Sequence, residues 1–228
     1  MLLVHGAWLT GHVWDGVAAG LRARGVAVTV AELHRGSLAA DIAAAETALD
    51  QLSTGGPAIA CGHSYGGAVI TGLPPRRIDH LVYLAATMPD RGETALGLLA
   101  SAPPTDLGTS MLGDPAGTTT IDPKAAGRLF HAQLGEEERA RHTVELVPQM
   151  MTPAHQPTTS AAWHQRPSTY VVCTEDRAMH PDLQRRFAAR ATRALSWHSD
   201  HGVFASHEEE TVELLHQLAT GSRLTPAD

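Results

Sequence analysis

Apolar residues along this chain arrive in two rhythms. Nearly unbroken apolar runs at LLVH (2–5), VAVTVAE (26–32), PAIACG (57–62) and HLVYLAA (80–86) read as buried strands. Between them, 13–25 has helical spacing and stops at Gly25, while 37–52 opens on a capping-type Ser37. A third helix is expected from about Ser64 to Gly72, cut short by Pro74 and Pro75. Strand and helix alternate, and strands buried on both faces need helices on both sides. The expected fold class is therefore α/β, a doubly wound and mainly parallel sheet.

From about 89 to 167 the rhythm changes. Helices are expected at 122–134, where Asp122 caps and Pro123 starts, and at 135–147, whose first turn is acidic. The rest is loop rich in Gly, Pro, Thr and Met, with no strand expected. The alternation then resumes with strands at 168–174 and 193–198 and helices at 181–191 and 207–219. This describes a sheet of about six strands within one domain, 1–228, with a helical lid inserted at 89–167.

The 228 residues include 43% hydrophobic and 18% charged positions, a globular composition. A net charge of −7 disfavours nucleic acid or an anionic membrane as partner. Cys61 and Cys173 sit in apolar runs and read as core residues, not a disulfide framework. The 14 histidines show no metal-ligand spacing, so neither metal nor cofactor is expected. The N-terminal apolar run is too short for a signal peptide and no run is long enough to span a membrane, so a cytoplasmic location is the default expectation.

The chemistry concentrates where strands end. CGHSYGG (61–67) follows the third strand and brackets Ser64 in the pattern G-x-S-x-G, suited to a sharp strand-to-helix turn that exposes one hydroxyl. A serine hydroxyl needs a base, and the base an orienting group. After the strand at 193–198 comes His201, preferred as base over His198, which ends the strand. After the strand at 168–174 comes Asp176, preferred as carboxylate, with Glu175 and Asp200 as alternatives. The backbone N–H groups of Tyr65 and Ala7 are the natural oxyanion donors. Trp8, Met111, Phe130, Met150, Met151 and Trp163 are candidates to line a substrate pocket.

LLVHGAW, GHSYGGAVI, LVYLAATMPDRGE, STYVVCTEDRAMHPDLQ and SDHGVF together resemble the α/β-hydrolase superfamily. The resemblance is to its compact esterase branch, which includes plant methyl-ester esterases and hydroxynitrile lyases. It implies Ser64 as nucleophile, Asp176 as acid, His201 as base, and the amides of Ala7 and Tyr65 as oxyanion hole. It also implies that 89–167 covers an apolar pocket. The lyases of that branch carry a threonine near the oxyanion loop and a lysine directly after the histidine. Gly6 and Gly202 stand at those places here, which removes the charged helper for cyanohydrin cleavage. The expected activity is hydrolysis of an ester or lactone of a small, mostly apolar compound by a serine hydrolase. The alternatives are acyl transfer, lyase or cyclisation chemistry on the same residues, and a receptor that binds its ligand without turnover.

Overall fold

The computed structural model of the protein describes residues 1–52 and 58–221. The chain runs β1 (Leu2–Val4), α1 (Asp15–Ala23), β2 (Thr29–Ala31), α2 (Leu38–Asp50), β3 (Ala58–His63), α3 (Gly66–Thr71) and β4 (Ile78–Leu84). An insertion follows, with α4 (Ala95–Ala100), α5 (Asp106–Ser110), β5 (Met111–Gly113) and β6 (Thr118–Ile121). It continues through α6 (Pro123–Phe130), α7 (Glu136–Val144), β7 (Gln149–Met150) and α8 (Thr152–His155). The chain closes with β8 (Ser168–Cys173), α9 (Pro181–Ala188), β9 (Arg193–Trp197), α10 (Val203–Ser206) and α11 (Glu208–Thr220).

Six strands pair in the order β2-β1-β3-β4-β8-β9, every pair parallel. Side chains alternate faces along each strand. Leu2, Val4, Leu81, Tyr83, Tyr170 and Val172 pack on one side with apolar residues of α2, α3 and α9. Leu3, Val82, Leu84, Val171 and Cys173 pack on the other with α1 and α11. Each buried side chain of this size contributes about 1.5–3 kcal/mol, so a one-residue slip would move an entire set to the wrong face. Ser37 caps α2 as expected, its Oγ accepting from Ala40 N at 3.1 Å. The second strand is shorter than its valine run, because it is an edge strand that follows only the three residues of β1. The expected start of the third strand, Pro57, lies outside the described residues.

The insertion departs from expectation. It contains an antiparallel three-stranded sheet in the order β5-β6-β7, where the sequence suggested only helices and loops. The loop-like composition of 113–117 is the hairpin turn itself. Asp114 Oδ1 accepts from the amides of Ala116 and Thr118, and Gly117 takes a positive φ of 84°.

The insertion is joined to the loop after β9 by hydrogen bonds. Gly202 N donates to Phe130 O at 2.7 Å, Gln133 N to Asp200 Oδ2 at 2.8 Å, and Gln133 Nε2 to His198 O at 2.9 Å. Gly202 has to be glycine, since a Cβ there would lie 2.3 Å from His131 Nδ1 and 2.7 Å from Phe130 O. Arg139 ties its own segment together by donating to the carbonyls of His131, Ala132 and Leu134.

Three histidines, His5, His63 and His131, are buried where charge is disfavoured. Burial lowers the pKa of His5 to about 4 and that of His131 to about 3, and holds His63 well below the usual histidine range. The unfolded chain therefore takes up protons below pH 6.5 that the folded chain refuses, so stability falls as pH drops from 6.5 toward 4. Asp200, whose carboxyl is raised by burial, acts in the opposite sense but is one group against three. The expected loss is on the order of a few kcal/mol. Urea midpoints measured from pH 7.5 to 4.5 should fall steadily, and His131→Phe should flatten the slope. A midpoint constant across that range would contradict this account.

Candidate active site

Ser64 follows directly on β3 with a φ of +52°, a backbone conformation that a side chain strains to adopt. Local bonds hold it there. Ser64 N donates to Leu84 O at 3.3 Å, and Ser64 O accepts from Gly67 N at 3.1 Å and Thr87 N at 3.0 Å. The turn is possible only because its neighbours lack side chains. A Cβ on Gly62 would lie 2.6 Å from Gly66 O, and one on Gly66 would lie 2.6 Å from the carbonyl oxygens of Val4 and His5. Among the described residues, the non-glycine positions with positive φ are Trp8, His34, Ser64 and Ala85. They lie just past β1, β2, β3 and β4, so the strain collects along the carboxyl edge of the sheet.

His201 and Asp176 meet in this edge. His201 Nδ1 donates to Asp176 Oδ2 at 2.7 Å, and both side chains are almost wholly buried. The carboxylate is fully engaged. Oδ1 accepts from the amides of Ala178 and Met179 at 2.7 and 2.8 Å, and Oδ2 also accepts from Gln184 Nε2 at 2.7 Å. Both oxygens of this buried carboxyl group are thus met by donors. The two alternative carboxylates are used elsewhere. Glu175 faces His198 at 3.6 Å in an exposed pair, and Asp200 accepts from Gln133 N and Ser206 Oγ. His63 donates from Nε2 to His201 O at 2.8 Å, and the two rings lie 4.6 Å apart.

The loop after β1 carries Ala7 and Trp8. His5 Nδ1 donates to Gly6 O at 2.9 Å while its Nε2 accepts from Leu33 N at 3.2 Å, which fixes the neutral tautomer. Gly6 cannot carry a side chain, since a Cβ there would lie 2.8 Å from Ser64 Cβ. Trp8, at φ +58°, is clasped by the insertion: its N–H donates to Gln149 Oε1 at 2.7 Å, its carbonyl accepts from Val147 N at 2.8 Å, and its indole N–H donates to Thr119 Oγ1 at 3.0 Å.

Ala7, Ser64, Tyr65 and His201 all line one cavity of about 240 Å³ beneath the insertion. Its remaining walls are mostly apolar. Trp8, Met111, Phe130 and Met151 line it, and the Phe130 ring lies 5.6 Å from that of His201. Met150 and Trp163 do not. Met150 points outward and is 46% exposed, because strand alternation on β7 turns Gln149 inward instead. Trp163 stacks on His164, and its indole donates to Pro89 O at 3.0 Å, away from the cavity. The Tyr65 side chain is also structural, donating to buried Asp41 at 2.8 Å.

Sequence reasoning missed Gln149 and Gln184. Gln184 sits beside Leu183 on the face of α9 turned to the sheet, a polar residue in an apolar arc, and that position was the available signal. Among the described residues, no group of three His, Cys, Asp or Glu side chains is placed to hold a metal ion. No helix among them is long and apolar enough to cross a membrane.

Known proteins share this fold. A carbendazim-hydrolysing esterase from Nocardioides sp. (strain SG-4G) is 34% identical over 129 residues, covering 49% of this chain and 52% of that protein. The match thus spans about half of the relative's length. A pyrethroid hydrolase from Sphingobium faniae JZ-2 superposes with a TM-score of 0.82 at 21% identity, covering 96% of each chain. Polyneuridine aldehyde esterase superposes with a TM-score of 0.81 at 18% identity, covering 96% of this chain and 98% of that one. The family model described as alpha/beta hydrolase family matches residues 1–214, and the chain belongs to that family.

Proposed function

We propose that the protein is a serine esterase that cleaves an ester or lactone of a small, mostly apolar compound through an acyl-enzyme. The observation that carries this reading is the buried His201–Asp176 pair, 2.7 Å apart, at the cavity that Ser64 also lines. The names of the relatives, an esterase for carbendazim and a hydrolase for pyrethroids, support the reaction class. The cavity supports the substrate class. At about 240 Å³ it lies below the ~300–1,000 Å³ usual for drug-sized ligands.

In this mechanism Ser64 Oγ attacks the ester carbonyl and His201 takes its proton. The amides of Ala7 and Tyr65 donate to the developing oxyanion. Asp176, held by its other three donors, keeps Nδ1–H of His201 in place and stabilises the imidazolium. The proton passes to the departing alkoxide. Water then gives a proton to His201 and adds to the acyl group; the acid leaves as Ser64 recovers its proton. A cyanohydrin lyase is the weaker reading. The position after the histidine, where that branch carries lysine, is Gly202, whose missing side chain leaves its space to His131.

Ser64→Ala should leave the fold intact and lower p-nitrophenyl ester turnover by several orders of magnitude, with loss of labelling by a fluorophosphonate probe. A folded Ser64→Ala protein with near wild-type turnover would overturn the reading.

The two neighbouring carboxylates separate the roles further. Asp176→Asn should lower kcat by about 10⁴, because the amide disturbs the His201 tautomer. Glu175→Gln should change kcat by less than about twofold, given its exposed pairing with His198. Steady-state kinetics on both variants checks this, and the reverse order would assign the acid to Glu175.

A further inference from the structure

Gln149 is a buried amide, 4% exposed, in the wall of a mostly apolar cavity. Its orientation is settled by its partner. The backbone N–H of Trp8 is a donor, so the amide oxygen must face it, at 2.7 Å. The strand that carries Gln149 is fixed as well, with its carbonyl accepting from Thr119 Oγ1 at 3.0 Å and its residue paired with Thr119 across β6 and β7. This leaves Nε2, a group with two N–H donors, with no partner among the described residues. A donor kept in an apolar wall is destabilising unless something meets it. Neither the nucleophile, the base nor the oxyanion donors of the proposed mechanism use it.

The place of this donor defines what it meets. Trp8 follows Ala7, so Nε2 lies at most about 9 Å from the Ala7 amide, summing one hydrogen bond and the intervening covalent spans. A substrate whose carbonyl oxygen sits on that amide reaches Nε2 with a second acceptor about two to four bonds from the carbonyl carbon. Resting on the esterase reading, we propose that Gln149 is a substrate-binding residue that selects small esters with a second hydrogen-bond acceptor, an ether oxygen, carbonyl or ring nitrogen, close to the scissile carbonyl. Specificity of this kind comes from a built-in polar partner, which an all-carbon analogue leaves unsatisfied.

Two substrates that differ by one atom test this. p-Nitrophenyl methoxyacetate and p-nitrophenyl butanoate have the same length, one with an ether oxygen where the other has a methylene. Intrinsic reactivity cancels when the ratio of their kcat/KM values is compared between wild type and variant. In Gln149→Leu the ratio, methoxyacetate over butanoate, should fall about tenfold, the size of one lost hydrogen bond. Gln149→Glu, assayed at pH 8, keeps an oxygen for Trp8 N–H but removes the amide donor. It should show the same fall in ratio while holding butanoate turnover closer to wild type than Gln149→Leu does. A ratio unchanged in both variants overturns the proposal. Affinities of the matching p-nitroanilides, measured by calorimetry on wild type and both variants, read the same preference without turnover. If wild type cleaves neither ester yet the anilide preference for methoxyacetyl falls in the variants, the esterase reading fails and the donor role stands. If the esters turn over but neither ratio nor affinity preference moves, the donor role fails alone.

Discussion

A carboxylate buried beside the sheet is costly unless every oxygen is met, and the arrangement around Asp176 follows from that constraint. Two backbone amides, a glutamine and His201 converge on its oxygens. The amides belong to the loop between β8 and α9, and the glutamine to α9 itself, so the carboxyl group organises the loop that presents it. Gln184 is fixed in turn, its oxygen accepting from Cys173 N at the end of β8 and its nitrogen also donating to Met179 O. His201 is thus one of four partners, and the other three would hold the carboxylate whether or not the imidazole moved. That rigidity separates the Asp176–His201 pair from an exposed surface pair such as Glu175 with His198.

The second constraint is crowding at the sheet's carboxyl edge. Neighbouring backbone leaves no room for a Cβ at Gly62 and Gly66, and the side chains of Ser64 and His63 leave none at Gly6. The same edge holds the positive-φ residues Trp8, Ser64 and Ala85. Each conformation of this sort costs on the order of 1–3 kcal/mol and persists only because packing on both faces of the sheet over-determines it. Leu2, Val4, Leu81 and Tyr83 on one side and Leu3, Val82 and Leu84 on the other supply that packing. The strained turn and the two-sided sheet are consequences of one another.

What was legible in the sequence divides along the same line. Buried parallel strands write themselves as unbroken apolar runs, and β3, β4 and β8 lie where those runs are. Gly62, Ser64 and Gly66 were legible because steric need fixes residue type at a turn with no free space. Asp176 could be preferred over Glu175 and Asp200 but not separated from them, because what separates them is which backbone amides point at which oxygen. The insertion was least legible. Its strands have only two to four residues, too few for a period to show, and its turn residues look like loop. On so short a strand one residue of register decides which side chain enters the cavity, and so Met150 points outward and Gln149 inward.

That one-residue difference also changes what the insertion is for. A cover that met the sheet only through apolar contacts could shift without altering the loop beneath it. Here Gln149, Val147 and Thr119 bond Trp8 directly, beside the Ala7 amide, while Phe130 and Gln133 bond the His201 loop. Both loops that border Ser64 are therefore anchored to the same inserted segment. A displacement of β7 changes the position of Trp8, and a displacement of the turn after α6 changes that of Gly202. The cavity wall and the loops carrying the proposed reacting groups are one mechanical unit, so side chains chosen for shape on the inserted strands also set the geometry of the edge below them.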